Sequence, residues 1–247
     1  MKVTIITVCL NSKETIEDTI KSVLSQTYKN LEYIIVDGGS TDGTLDIVDR
    51  YKDQISKIIF EPDQGIYDAM NKGLRVMTGD VVAFLNSDDF YLDKNVISDV
   101  VGAFEAHDCQ ACYSDLKYVE RLKTQKVVRL WKAGAYGIKK IYYGWIPPHP
   151  TFFAKSKLYK KYGLFNLDFK IASDYELMLR FILKGIEMFY LSKVTVGMRE
   201  GGRSAQTFKT RIKGWKEIRM AWEVNGMRPP RLLILKRIMS KILQYKF

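Results

Sequence analysis

Long apolar runs are missing from this chain of 247 residues. No stretch of about 18 uncharged apolar residues occurs, so no transmembrane helix is expected. Met1-Lys2-Val3-Thr4 runs directly into a strand-like segment, which excludes a signal peptide in expectation and points to the cytoplasm. Cysteine is scarce too. Cys9, Cys109 and Cys112 lie in or beside apolar strand-like runs, which suits reduced, buried thiols in place of a disulfide framework. The Cys109-Gln110-Ala111-Cys112 spacing has no second pair, and with 2 histidines in the chain a zinc site is not expected. Internal repeats and low-complexity tracts are also absent.

What is present is a 47% hydrophobic chain, long enough for one large α/β domain with an appendage. Its net charge of +11 is unevenly spread. Residues 209–247 hold eleven Lys or Arg against Glu217 and Glu223, a net of +9 that leaves only +2 for residues 1–208. That asymmetry argues against nucleic acid as a partner of the main domain and for a local anionic partner of the tail.

Over the first ~115 residues, strand-like runs alternate with amphipathic helical ones, the pattern of a mostly parallel sheet with helices on both faces. Strands are predicted at Val3 to Val8, Leu31 to Val36, Lys57 to Phe60, Val81 to Leu85 and Cys109 to Tyr113. Ser12 is the expected cap of a helix carrying Ile16, Ile20, Val23 and Leu24, and Thr41 or Asp42 of one carrying Leu45, Ile47 and Val48. Both helices start at carboxyl ends of strands, where an open α/β sheet places its ligand. Beyond residue 115 the pattern turns irregular, with short β-like pieces at Val127 to Trp131, Thr151 to Ala154 and Met188 to Leu191, and one clear helix from Ser173 to Lys184. A Gly/Pro interruption at Gly226 to Pro230 sets off the last segment.

Three acidic loops follow three of these strands: Asp37-Gly38-Gly39-Ser40-Thr41-Asp42-Gly43, Glu61-Pro62-Asp63-Gln64-Gly65 and Asn86-Ser87-Asp88-Asp89. Oxygen ligands gathered at one sheet edge suit a hard cation such as Mg²⁺ or Mn²⁺, which could bridge a diphosphate. The glycines fit neither a P-loop nor a dinucleotide fingerprint.

Five segments in order, Ile5-Ile6-Thr7-Val8 with Asn11, Ser25-Gln26-Thr27-Tyr28, Val36 to Thr44, Glu61 to Gly73 and Phe84 to Asp89, resemble the family 2 glycosyltransferases. The resemblance implies a GT-A fold over residues 1–226, with a nucleotide-sugar-binding half at 1–115, an acceptor half at 116–208 and a basic amphipathic segment at 227–247. It implies that Asp37 contacts the nucleobase, that backbone near Thr7, Val8 and Asn11 lines base and ribose, and that Asn71 and Lys72 lie near the sugar or diphosphate. Asn86-Ser87-Asp88-Asp89 would bind ribose and Mn²⁺ or Mg²⁺, with Asp88 the first choice as metal ligand and Asp89 the second, since Asn86 replaces the usual first acid. A UDP-sugar donor is preferred on family frequency, and a GDP-sugar stays open.

In the second half, Ile171-Ala172-Ser173-Asp174-Tyr175-Glu176-Leu177 resembles the family's acidic motif ahead of the acceptor helix. Inverting transfer needs a carboxylate to take the proton of the attacking hydroxyl, and Asp174 is the expected base, with Glu176 a lesser candidate. His149 is open between acceptor contact and structure, and Glu61 and Asp63 between substrate contact and turn formation. Arg203, in Glu200-Gly201-Gly202-Arg203-Ser204, resembles a loop cation that meets the leaving diphosphate.

From Arg231 to Phe247, apolar residues Leu232, Leu235, Ile238, Met239, Ile242 and Leu243 recur at helical spacing among lysines and arginines. This is the pattern of a helix lying on an anionic membrane, with packing on the domain as its alternative. The expectation is therefore an inverting transferase acting on a glycan or polyprenyl-diphosphate-linked glycan at the inner membrane face. Two other classes compete: a nucleotidyltransferase, whose Gly-rich basic loop near the N-terminus is absent, and a binding module, which would not need Asp88, Asp89 and Asp174.

Overall fold

The computed structural model describes residues 1–201, 208–242 and 244. Its strands are β1 (Val3–Cys9), β2 (Leu31–Asp37), β3 (Lys57–Phe60), β4 (Val81–Phe84), β5 (Asp89–Tyr91), β6 (Ala111–Val119), β7 (Val127–Trp131), β8 (Phe153–Lys155) and β9 (Met188–Arg199). Helices are α1 (Ile16–Leu24), α2 (Thr44–Asp49), α3 (Ile66–Val76), α4 (Val96–Ala106), α5 (Ser156–Tyr162), α6 (Ser173–Leu183), α7 (Phe208–Val224) and α8 (Leu233–Ile242). All these strands join one sheet in the order β3-β2-β1-β4-β8-β6-β9-β5, with β7 added to β6. β3, β2, β1 and β4 run parallel, and β8 enters antiparallel between β4 and β6.

Alternation along β1 divides the core. Ile6 and Val8 face a layer built with α3, α5, α6 and α7, while Val3, Ile5 and Cys9 face one built with α1, α2 and α4. Strands covered on both faces read as continuous apolar runs, which is why this half is legible in sequence.

The second half departs from expectation where strands are polar. β6 and β9 extend far beyond Cys109 to Tyr113 and Met188 to Leu191, because the two pair in parallel from Ala111↔Met188 to Val119↔Arg199. Their polar positions are satisfied by distant partners: Asp115 accepts from the Ala133 N–H at 2.7 Å and from the Tyr190 hydroxyl at 2.9 Å. The expected boundary at residue 115 falls inside β6, so the halves share one sheet. Ser12 is not the α1 cap. Its hydroxyl pairs with that of Ser87 at 2.8 Å, and the helix starts later because the Ser12 carbonyl accepts the Thr15 and Ile16 N–H groups. Asp42 does serve α2, accepting the Thr44 N–H at 2.9 Å. The cysteines are free and buried, and burial pushes each thiol upward.

Candidate active site

The acidic loops leave the carboxyl ends of β2, β3 and β4. Asp37, expected at the nucleobase, is fully buried and fully engaged. Its Oδ1 accepts the N–H groups of Gly39 at 2.9 Å and Ser40 at 2.7 Å, and its Oδ2 accepts the Ser40 hydroxyl at 2.6 Å and the Cys9 thiol at 3.2 Å. Asp37 therefore anchors a turn, which corrects the expected base contact: no acceptor capacity is left for a ligand. Asp63 stands in the adjoining space. A Cβ added to Gly38 would lie 2.0 Å from its Oδ2, so the missing side chain at 38 is what admits this second carboxylate. Asp63 Oδ1 accepts the Gly65 N–H at 2.8 Å, and no hydrogen bond engages Oδ2 among the described residues.

Thr7 and Val8 turn their side chains into the two core layers, the Thr7 hydroxyl accepting from Tyr33 at 3.2 Å. Only their backbone is left for a ligand. Asn11 adopts a left-handed φ of 52° and ties the first loop to the second, its N–H donating to the Ser40 hydroxyl and its Oδ1 accepting the Thr41 N–H at 2.9 Å. Asn71 corrects a second expectation. Its side chain donates to the Phe165 carbonyl at 2.9 Å and accepts the Phe165 N–H at 3.0 Å, a buried staple between the halves. Lys72, half-buried at the surface, donates to the Pro62 carbonyl at 2.6 Å and pairs with Glu61 at 3.0 Å.

Asn86-Ser87-Asp88-Asp89 opens β5. Asp89 is fully buried, and both its Oδ1 and the Asn86 Oδ1 are buried without a hydrogen-bond partner. Asp88 is partly open, with Arg121 at 3.9 Å. Burial raises the carboxyls of both Asp88 and Asp89, and for Asp89 the neighbouring Asp88 charge adds to it. Two carboxylates and an amide oxygen with unmet acceptor capacity fit a hard cation that takes its remaining ligands from substrate phosphates. Among the described residues no group of three His, Cys, Asp or Glu converges, so a cation here would need further oxygens from its ligand. Arg199 was not foreseen. Nearly fully buried, it pairs with Asp18 and donates to the carbonyls of Asp88 and Arg121, both at 2.9 Å, which fixes the acidic turn. Its main partner is 181 positions away, and no local pattern marks it.

In the second half, Asp174 lies in the first turn of α6. The Tyr67 hydroxyl, from the nucleotide half, donates to its Oδ1 at 3.1 Å and to the Ile171 carbonyl at 2.8 Å. Burial and the Asp174 charge hold that phenol well above its usual range. Glu176 is excluded as an alternative base: it is buried, paired with Arg180 at 2.5 Å, and accepts from Asn225 at 2.9 Å. His149 is buried between Phe84 and Phe165, and burial lowers its pKa, opposed by the Asp174 charge. Its ring packs on these two aromatics, where burial disfavours the charged form. Arg203 lies outside the described residues.

Three comparisons carry the identification further. The sequence model of Glycosyl transferase family 2 matches residues 4–170. The chain is 33% identical over 218 residues to the Escherichia coli UDP-Glc:alpha-D-GlcNAc-diphosphoundecaprenol beta-1,3-glucosyltransferase WfaP, covering 85% of this chain and 83% of that protein. Among solved structures it resembles S. aureus TarS 1-349 in complex with UDP-GlcNAc, with a TM-score of 0.72 and 21% identity over 90% of this chain and 66% of that one. It also resembles the mannosyltransferase PcManGT from Pyrobaculum calidifontis in complex with GDP-Man and Mn²⁺, with a TM-score of 0.68 and 18% identity over 97% of this chain and 69% of that one. At such identities the structural likeness speaks for the fold, which is GT-A. With a family match spanning most of its length and acidic turns at the strand ends that the match covers, this chain belongs to glycosyltransferase family 2.

Proposed function

We propose that the protein is an inverting transferase that moves a sugar from a nucleoside diphosphate to a hydroxyl of a polyprenyl-diphosphate-linked glycan. The observation that supports this reading most is the hydrogen bond to Asp174 from the hydroxyl of Tyr67, a residue of α3, the helix that follows the Glu61 to Gly65 acidic loop. In the step, the acceptor oxygen bonds to the anomeric carbon, the bond from that carbon to the diphosphate breaks, and Asp174 takes the hydroxyl proton. Asp63 accepts a hydrogen bond from the nucleobase, a role that Asp37 cannot fill. UDP is the preferred carrier and GDP the second. Asp88, then Asp89 and Asn86, would hold Mn²⁺ or Mg²⁺, and that cation supplies charge neutralisation for the diphosphate. Arg203 adds a further positive charge in this reading.

The lipid-linked acceptor is supported by the likeness to WfaP, whose name specifies a diphosphoundecaprenol substrate, and by the basic tail. No helix among the described residues is long and apolar enough to cross a membrane. α8 instead leaves Leu235 and Met239 exposed, with Leu232 just before it, a face suited to the bilayer interface and to a peripheral position at the inner membrane surface.

The test is calorimetric binding of UDP, GDP and their sugars with Mn²⁺, Mg²⁺ or EDTA, followed by NMR of the product anomer. Metal-dependent binding of one nucleotide and an inverted anomer are expected. A retained anomer, or no nucleotide binding under any condition, would overturn the reading. For the tail, Leu235→Gln with Met239→Gln should release the protein from anionic liposomes, and continued sedimentation would remove the membrane from the proposal.

A further inference from the structure

A cavity of about 700 Å³ lies between β7, the 3-10 segment Ile138–Tyr143 and α8. Its walls carry Trp131, Lys132, Lys140, Trp145, Arg237 and Lys241, and no carboxylate lines it. None of these four cations pairs with an acid among the described residues. The structure fixes Arg237 by other means. It donates to the Gly144 carbonyl at 2.6 Å and stands 5.0 Å over the ring of Tyr175, while its Nε is buried without a partner. Gly144, at φ 81°, permits this approach, since a Cβ there would lie 2.9 Å from that of Arg237. Like charges gathered around a cavity repel one another unless an anion enters, and their spare N–H donors match phosphate oxygens.

Two placements narrow the anion. Arg237 stands over Tyr175, the residue that follows Asp174, Lys241 lies within the field of the Asp174 charge, and neither Asp63 nor Asp88 lines the cavity. On α8, the residues lining the cavity, Arg237, Ser240 and Lys241, occupy the face opposite Leu235 and Met239, which are 52% and 55% exposed. Beside them Tyr143, also on the cavity wall, is 62% exposed. With the apolar face at the bilayer, the cations stand roughly one helix diameter, about 10 Å, above it, close to headgroup level.

We propose that this cavity binds the diphosphate of a lipid-linked acceptor, with the first sugar directed to Asp174 and the hydrocarbon chain leaving past Tyr143 toward the membrane. The inference rests on the acceptor reading above. The same chemistry could come from the donor's diphosphate, and the experiment separates the two.

Lys132 and Lys140 are exposed, so the double variant Lys132→Gln, Lys140→Gln should keep the wild-type melting temperature. Calorimetric titration with farnesyl diphosphate, farnesol and UDP is expected to show at least tenfold weaker farnesyl diphosphate binding in the variant. Farnesol should bind poorly to both proteins, and UDP affinity should change less than twofold. Lys241→Gln repeats the test from the opposite wall. Equal farnesyl diphosphate binding by wild type and both variants overturns the proposal, and a parallel loss for UDP reassigns the cavity to the donor. Because binding is read without turnover, a protein that holds farnesyl diphosphate through these lysines yet transfers no sugar breaks the functional reading and keeps the cavity. A protein that glycosylates a lipid diphosphate with the same KM in wild type and variant breaks the cavity and keeps the function.

Discussion

In the β1 to β3 region every buried carboxylate is met from within: Asp37 by two N–H groups, a hydroxyl and a thiol, and Glu32 by Thr4, Thr78 and Lys2. Where the two halves face each other the account is left open. Asn86 and Asp89 each keep a buried oxygen without a partner, and among the described residues the Asp174 carboxylate accepts one hydrogen bond, from the Tyr67 hydroxyl. Leaving a buried acceptor unmet costs about 1–3 kcal/mol. The contrast separates carboxylates that build the fold from those left with open acceptors, although Asp37 and Asp89 stand in similar acidic turns.

The strongest way to break that contrast is Asp174→Asn. We expect kcat to fall by about 10²–10⁴-fold, the usual range for a lost general base, with donor affinity and melting temperature unchanged. Unaltered turnover would take the base role from α6.

Glu217→Gln tests the opposite class. Glu217 accepts the N–H groups of Lys170, Ile171 and Ala172 at 3.1, 2.8 and 2.9 Å, which fixes the segment leading to Asp174. Its replacement should cost about 1–3 kcal/mol of stability without altering nucleotide affinity. An unchanged melting temperature would show that these bonds are not what holds the segment.

The smallest effect is expected at Glu32. Burial raises its carboxyl, but hydrogen bonds from Thr4, Thr78 and Lys2 outweigh this and hold it at about 2 against an ordinary 4.5. A group depressed in the folded state stabilises only where it is ionised. The contribution is therefore full above the ordinary value and disappears as the pH falls toward 2. Acid unfolding of Glu32→Gln, followed by circular dichroism, should be less steep in this window than that of the wild type, and superimposable curves would refute the assignment.

Much of this contrast was hidden in the sequence. Asp37 and Asp88 both follow apolar strands within turn-forming residues, and only the coordinates show one consumed by its own turn and the other partly open. Asn71 sits in a motif that resembles a donor site, yet its partner Phe165 is 94 positions away. Arg199 escaped notice for the same reason, and β6 and β9 were truncated because their satisfied polar residues do not read as strand. The tail gave a mixed outcome. Helical spacing disclosed α8, but Leu233, outside the expected apolar stripe, is the residue it buries, while Leu232, Leu235 and Met239 remain outside.

By itself the sequence determined the α/β class, the parallel β1 to β4 core, the helix that begins at Ser173, the acidic turns and the family. Those features rest on local signals: hydrophobic period, turn residues and short contiguous motifs. The tertiary structure alone decided which carboxylates are spent, how Tyr67 reaches Asp174, and that four cations from three separate segments surround one cavity. These depend on contacts between residues far apart in the chain, where nothing in local spacing records which side chains will meet.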